Sequence, residues 1–226
     1  RIIQMGEEKW RVKTIGIPEI KNLKKQRILS LSQLKKIINL YLSFKTLLVT
    51  LHPTTLNNKN LQEQINNLLS AVKKSGYQAI FTYPNSDLGY TLIVKKIKTF
   101  CKNNNNCTFI KNASLSLYSN LLRQCSAMVG NSSSGIVEAA SFKLPVVNIG
   151  NRQKGRLNAG NVEFVKYDKA EIISALTKAC LDKDYRNGIE KLKNPYGDST
   201  AAINVRKAIE SIDLNDRRWY VKQKLC

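Results

Sequence analysis

AMVGNSSSGIVEAA (residues 127–140) decides the fold class. Three apolar residues end at Val129, a turn of small residues runs from Gly130 to Gly135, and Ile136, Val137, Ala139 and Ala140 then recur at helical spacing. A strand that passes through a small-residue turn into a helix is the leading half of a parallel βαβ unit. The alternation repeats outward in both directions. Apolar runs at 47–51, 79–83, 108–110, 146–149 and 164–165 join 127–129 as predicted strands, and helices are predicted over 31–42, 61–74, 88–101, 115–125, 134–142, 169–181 and 200–212. The strand runs are apolar throughout rather than alternating, as happens when helices cover both faces of a sheet. The expected fold is therefore α/β, a doubly wound parallel sheet.

In such sheets ligands bind beyond the carboxyl ends of the strands, so the loops there are where function is sought. Three of them have unusual composition: LHPTT (51–55), TYPNSD (82–87) and GNSSSG (130–135). The last gathers free backbone N–H groups, the positive end of a helix dipole and three hydroxyls, a combination suited to a phosphate. One serine suffices for an N-cap; Ser132, Ser133 and Ser134 between two glycines exceed that need. No lysine follows Gly135, which excludes a Walker A loop, and Ser134 stands where a nucleophile elbow needs its closing glycine.

His52 is the only histidine and follows an apolar run directly, which places it at the same rim. An imidazole there can donate to a phosphate or carry a proton near neutral pH, although a lone histidine is as often structural. Glu138, in the first turn of the helix opened by the serines, can complement the helix dipole or accept hydrogen bonds from a ribose diol. Arg152 and Arg156, in NIGNRQKGR (148–156), carry guanidinium groups whose geometry matches phosphate oxygens. One histidine and no clustered cysteines or carboxylates give no metal-ligand spacing, and neither a metal nor a cofactor is expected.

The 226 residues suffice for one full domain with an extension, and 42% of them are hydrophobic. Five cysteines without a C-x-x-C pair point to free thiols in a reducing cytoplasm. No apolar run approaches the ~20 residues of a membrane helix, and the opening RIIQMGEEKW reads as the interior of a longer protein rather than a signal peptide. Net charge is +21, so nucleic acid has to be weighed as a partner. The lysines fall in pairs at helix edges and aromatic residues are not interleaved with them, so a solvated basic surface is favoured over a nucleic-acid-binding module.

GNSSSGIVEAASFKLPVVNIGNRQKGR (130–156) resembles the nucleotide-binding segment of the hydrolysing UDP-N-acetylglucosamine 2-epimerases. LLVTLHPTTL (47–56), IFTYPNSD (80–87) and KNPYGDSTA (193–201) are similar to the same family at compatible spacings, and the likeness runs from about Arg1 to Ala202. The resemblance implies the Rossmann-like, UDP-binding half of a glycosyltransferase B-type two-domain fold. It implies a UDP site built from Asn131, Ser132, Ser133, Ser134 and Gly135, with the first two hydroxyls on the diphosphate, Glu138 on the ribose and Arg152 on phosphate. His52 would assist the leaving group, Ala113 would lie in the uracil-contacting loop, and Asp87 and Arg156 would stand nearby. The implied reaction eliminates UDP from UDP-N-acetylglucosamine and hydrates the product to N-acetylmannosamine, or acts likewise on UDP-N,N'-diacetylbacillosamine. The catalytic carboxylates would belong to an N-terminal domain, so this chain alone would be inactive, and the full-length protein would be a homo-oligomer. On that reading 1–23 is the end of that N-terminal domain and a linker, 24–199 the UDP-binding domain and 200–226 a C-terminal helix with a basic tail.

Overall fold

The computed structural model describes every residue except 43–44, 55–59, 198, 220 and 222–226. Thr55 and Leu56 of the first rim loop, Asp198 of KNPYGDSTA, Tyr220 and Cys226 thus lie outside the described residues. Six strands, β1 (Thr46–Thr50), β2 (Gln78–Thr82), β3 (Cys107–Ile110), β4 (Ala127–Gly130), β5 (Val146–Ile149) and β6 (Val162–Val165), form one sheet in the order β3-β2-β1-β4-β5-β6, with every pair parallel. This is the doubly wound order, in which the direction of strand succession across the sheet switches between β1 and β4.

Helices cover both faces. Leu47, Val49, Phe81, Val129 and Val147 pack with α3 (Leu61–Ser75), α4 (Tyr90–Lys102) and α7 (Lys169–Leu181) into one buried cluster. Leu48, Ile80, Met128 and Val146 point the other way, into a second cluster with α2 (Leu31–Ile38) and α5 (Leu115–Gln124). Alternate residues of each strand thus serve opposite cores, which is why the strands read as continuously apolar. Ser30 opens α2 with a capping box to Gln33, and Ser114, Asp168 and Asp182 accept backbone N–H groups at the starts of α5, α7 and α8 (Lys183–Glu190).

All six predicted strands are present, with ends displaced by two residues at most. The helix expected over 31–42 stops at Ile38 because Asn39 turns left-handed, with φ 52°. That expected over 134–142 is not one helix: α6 (Ser134–Val137) is a single α turn, and Ala139–Phe142 tightens into a 3-10 turn ended by left-handed Lys143. Buried Ala139 packs that turn against Leu48, Met128 and Val146 of the sheet. Two helices gave no clear periodic signal, α1 (Pro18–Lys24) and α8; α1 buries Ile20 and Leu23 beside α5, where Ser119 Oγ donates to the Leu23 carbonyl at 2.7 Å. The helix expected over 200–212 is α9 (Ala201–Glu210). The N- and C-terminal stretches meet where Trp10 and Trp219 pack edge-on at 4.8 Å, with the Arg218 guanidinium over the Trp10 ring. Among the described residues no helix is long and apolar enough to cross a membrane.

Gly130 ends β4 with φ +127°, and a β-carbon there would lie 1.9 Å from the Thr50 carbonyl oxygen of the neighbouring strand. Backbone meets backbone at that point, so nothing flexible can yield. Gly130→Ala is expected to lower unfolding free energy by more than about 4 kcal/mol. Gly76→Ala, with φ +69° but open space around it, should lose only about 1 kcal/mol. Urea unfolding of the two variants checks the contrast.

Candidate functional site

The segments leaving β1 and β4 emerge side by side, since Thr50 is in register with Gly130 and the Asn131 N–H donates to the Thr50 carbonyl at 3.1 Å. This brings His52 and the serine turn to one point of the rim, at the switch in strand order.

Asn131 holds that point together. It is fully buried; its Oδ1 accepts the His52 backbone N–H at 2.7 Å and its Nδ2 donates to the His52 carbonyl at 2.8 Å. Its own carbonyl accepts from Arg152 Nη1 and from Gln153 Nε2, both at 3.0 Å. The side chain expected to contact ligand is therefore engaged with the main chain of the segment leaving β1. Its expected neighbours on the site, His52 and Arg152, converge on it.

Within the turn the serines divide the work. Ser132 Oγ accepts the Ser134 N–H at 3.3 Å, a capping role, while Ser133 is exposed and its hydroxyl has no partner among the described residues. The backbone N–H groups of Ser132 and Ser133 likewise donate to no described protein acceptor. Because α6 has one turn only, the dipole inferred from a longer helix is curtailed, and these donors carry most of the anion-attracting capacity. Gly135 is buried for packing: a β-carbon there would meet Val146 Cγ1 at 2.8 Å. Ala113, at the start of the α5 segment, leans on the second core cluster.

His52 Nδ1 accepts the Asn85 backbone N–H at 3.0 Å, which assigns the imidazole proton to Nε2 and leaves that N–H as the outward donor. Burial, and next the Arg152 charge, hold its pKa below the ordinary histidine value, against weaker opposition from Asn85 and Asp87. Asp87 enters through Asn85, whose Nδ2 donates to Asp87 Oδ2 at 2.6 Å, while Asn85 Oδ1 is buried without a partner. Arg156 is held by Gln153, whose Oε1 accepts its Nη1 at 2.9 Å.

Glu138 is joined to the turn through Ser134, which donates to Oε2 at 2.5 Å; Ser134 in turn accepts from Tyr118 Oη at 2.5 Å. Burial raises the Glu138 pKa, the Ser134 hydrogen bond lowers it, and the nearby Glu19 charge raises it. The turn thus brings together a donor set for phosphate and a carboxylate acceptor.

Gln153, Tyr167 and Tyr118 were not singled out from the sequence. Gln153 sits between two flagged arginines and is 2% exposed, a buried amide that only the sheet explains. The Tyr167 hydroxyl accepts weakly from Asn131 Nδ2 at 3.4 Å, and its ring fills the space that Gly150 leaves: a β-carbon on residue 150 would be 2.4 Å from Tyr167 Cε2. Nothing in the sequence around Tyr118 separates it from a core aromatic.

Two expected outcomes follow from these bonds. Asn131→Ala strands the His52 N–H and carbonyl, and should destabilise the chain by about 2–4 kcal/mol in chemical unfolding. Glu138 has a folded pKa above its unfolded one, so its ionisation opposes folding at neutral pH, and this penalty disappears as pH falls through the folded value toward the unfolded one. Glu138→Gln is accordingly expected to raise Tm at pH 7, with the gain shrinking toward pH 4.

A family profile described as UDP-N-acetylglucosamine 2-epimerase matches residues 1–210. A Campylobacter jejuni protein named GDP/UDP-N,N'-diacetylbacillosamine 2-epimerase (hydrolyzing) is 38% identical over 164 residues, covering 72% of this chain and 43% of that protein. The Escherichia coli polysialic acid biosynthesis protein P7 is 33% identical, covering 97% of this chain and 56% of its own length. The fold matches the crystal structure of a UDP-GlcNAc 2-epimerase from Neisseria meningitidis with TM-score 0.76 at 18% identity, over 93% of this chain and 58% of that one. This chain spans about half the length of the curated relatives it matches. By the match over residues 1–210, the chain belongs to the UDP-N-acetylglucosamine 2-epimerase family.

Proposed function

We propose that this chain is the UDP-binding half of a hydrolysing UDP-N-acetylglucosamine 2-epimerase. The observation that carries the reading is the convergence on Asn131, where His52, Arg152 and the serine turn are fixed around unpartnered donors. The Neisseria meningitidis structure is described as bound to UDP-GlcNAc and a Staphylococcus aureus structure as a co-structure with UDP, which supports a UDP-sugar as ligand. The Ser132 and Ser133 N–H groups and hydroxyls would hold the diphosphate, Arg152 would neutralise it with Arg156 nearby, and Glu138 would accept from the ribose. Ala113 would border the uracil, and Asp87 would act on His52 through Asn85.

Elimination breaks the bond from the sugar C1 to the UDP oxygen while a base removes the C2 proton. Charge then develops on the leaving phosphate, where the His52 Nε2–H, Arg152 and fixed amides are placed to stabilise it without reorganising. Water next adds to the glycal and a proton returns to C2, giving N-acetylmannosamine. The base belongs to a preceding domain in this reading, and residues 24–199 form the nucleotide-binding body between a linker and a C-terminal extension. The chain alone would bind UDP and turn nothing over; the assembled protein would act in the cytoplasm as a homo-oligomer.

A second substrate has specific support, because the 38%-identical relative is named for N,N'-diacetylbacillosamine. The nucleotide site would be unchanged, since the sugars differ only beyond the diphosphate.

Isothermal titration is expected to give a UDP dissociation constant between ten micromolar and one millimolar, to an order of magnitude, with Arg152→Ala weakening it about tenfold. Absence of heat and of competition at millimolar UDP sinks the binding reading. Joined to the preceding domain proposed above, the protein should release N-acetylmannosamine or its diacetamido counterpart, and assay of both nucleotide sugars identifies which.

A further inference from the structure

We infer that Tyr118 is a positioning residue for ribose recognition: by donating its phenolic proton to Ser134 Oγ it commits the Ser134 proton to Glu138 Oε2, which orients the carboxylate's other oxygen toward a ribose diol. This rests on the proposed role of Glu138 and adds to it a residue from a different helix.

Proton inventory fixes the direction of the chain. A carboxylate only accepts, so at 2.5 Å Ser134 must spend its single proton on Glu138. Ser134 Oγ then has only lone pairs left, so the Tyr118 hydroxyl, also at 2.5 Å, must donate to it. Tyr118 keeps that proton, because its buried hydroxyl and the Glu138 charge both push its pKa above the ordinary tyrosine value. Its ring is packed on the second core cluster, so the hydroxyl is aimed by the fold rather than by the ligand. Remove it, and the Ser134 hydroxyl loses the donor that holds it from the other side and is free to rotate away from Glu138. Glu138 then loses the Ser134 hydrogen bond that favours its ionised form, while burial and Glu19 of α1 continue to oppose it.

The test titrates the 226-residue chain with UDP and with 2′-deoxy-UDP across pH 5 to 8. Wild type should prefer UDP by roughly tenfold, the worth of one hydrogen bond to a charged acceptor. In Tyr118→Phe, affinity for UDP should fall about three- to tenfold and that for 2′-deoxy-UDP less than twofold, so the preference narrows. The pH below which UDP affinity declines should also rise relative to wild type, since Glu138 protonates more readily. Ser134→Ala should narrow the preference in the same way, and it carries the test should Tyr118→Phe fail to fold by thermal unfolding. An unchanged preference and pH limb in both variants overturns the inference, as does an equal loss for both ligands, which marks a merely structural tyrosine. If wild type binds neither nucleotide, the UDP reading itself falls and takes this one with it; if wild type binds both, the two are judged separately.

Discussion

Where β4 ends, its backbone presses against β1 so closely that residue 130 can carry no side chain: the Thr50 carbonyl occupies the place of a β-carbon. That contact does more than join two strands, because it delivers the next residue, Asn131, into the plane of the β1 chain as it leaves the sheet. An amide can satisfy one N–H and one C=O at once, and Asn131 does so for His52. Its own carbonyl faces the third rim loop and accepts from Arg152 and Gln153. Three loops from three strands are thereby fixed by one buried residue, and the spacing of the site depends on the approach at Gly130.

This arrangement explains which parts of the molecule were legible in the sequence. Strands buried on both faces leave a signal that survives without tertiary information, as Leu47, Leu48 and Val49 show by serving two different cores in succession. The rim positions of His52 and Ser132 followed from the same signal, because a strand end predicts a rim. What each side chain does there was not legible. Asn131 looks like a ligand-binding amide in GNSSSG, yet its partner lies 79 residues earlier. Tyr118 is 16 residues from Ser134 and Gln153 is 22 from Asn131, separations at which only the sheet order decides contact. The 134–142 stretch misled for a related reason: its helical spacing is real, but Ala139 packs with strand residues Leu48, Met128 and Val146, and the backbone tightens after one turn.

The charge of +21 acquires a local meaning in this geometry. Ion pairs among the described residues, such as Lys178 with Glu163 and Arg206 with Glu210, sit on open surface and add little to stability. Arg152 makes no such pair among the described residues; it is anchored by a neutral carbonyl, which positions the guanidinium without cancelling it. A neutral anchor leaves the full positive charge available to an incoming anion, whereas a carboxylate partner would have to be displaced or shared.

His52 and Glu138 show the same economy from opposite directions. Burial pushes the histidine pKa down and the glutamate pKa up, so each group is biased toward its neutral form in the folded chain. For His52 the neutral form is the useful one, since Asn85 occupies Nδ1 and the proton on Nε2 faces outward. For Glu138 the ionised form is the useful one, and the Ser134 hydrogen bond, backed by Tyr118, favours it. Burial and the neighbouring Glu19 oppose that form, and the Ser134 hydroxyl supports it. The position of that donor is set by the fold, because the Tyr118 ring that holds Ser134 from the other side is packed on the second core cluster.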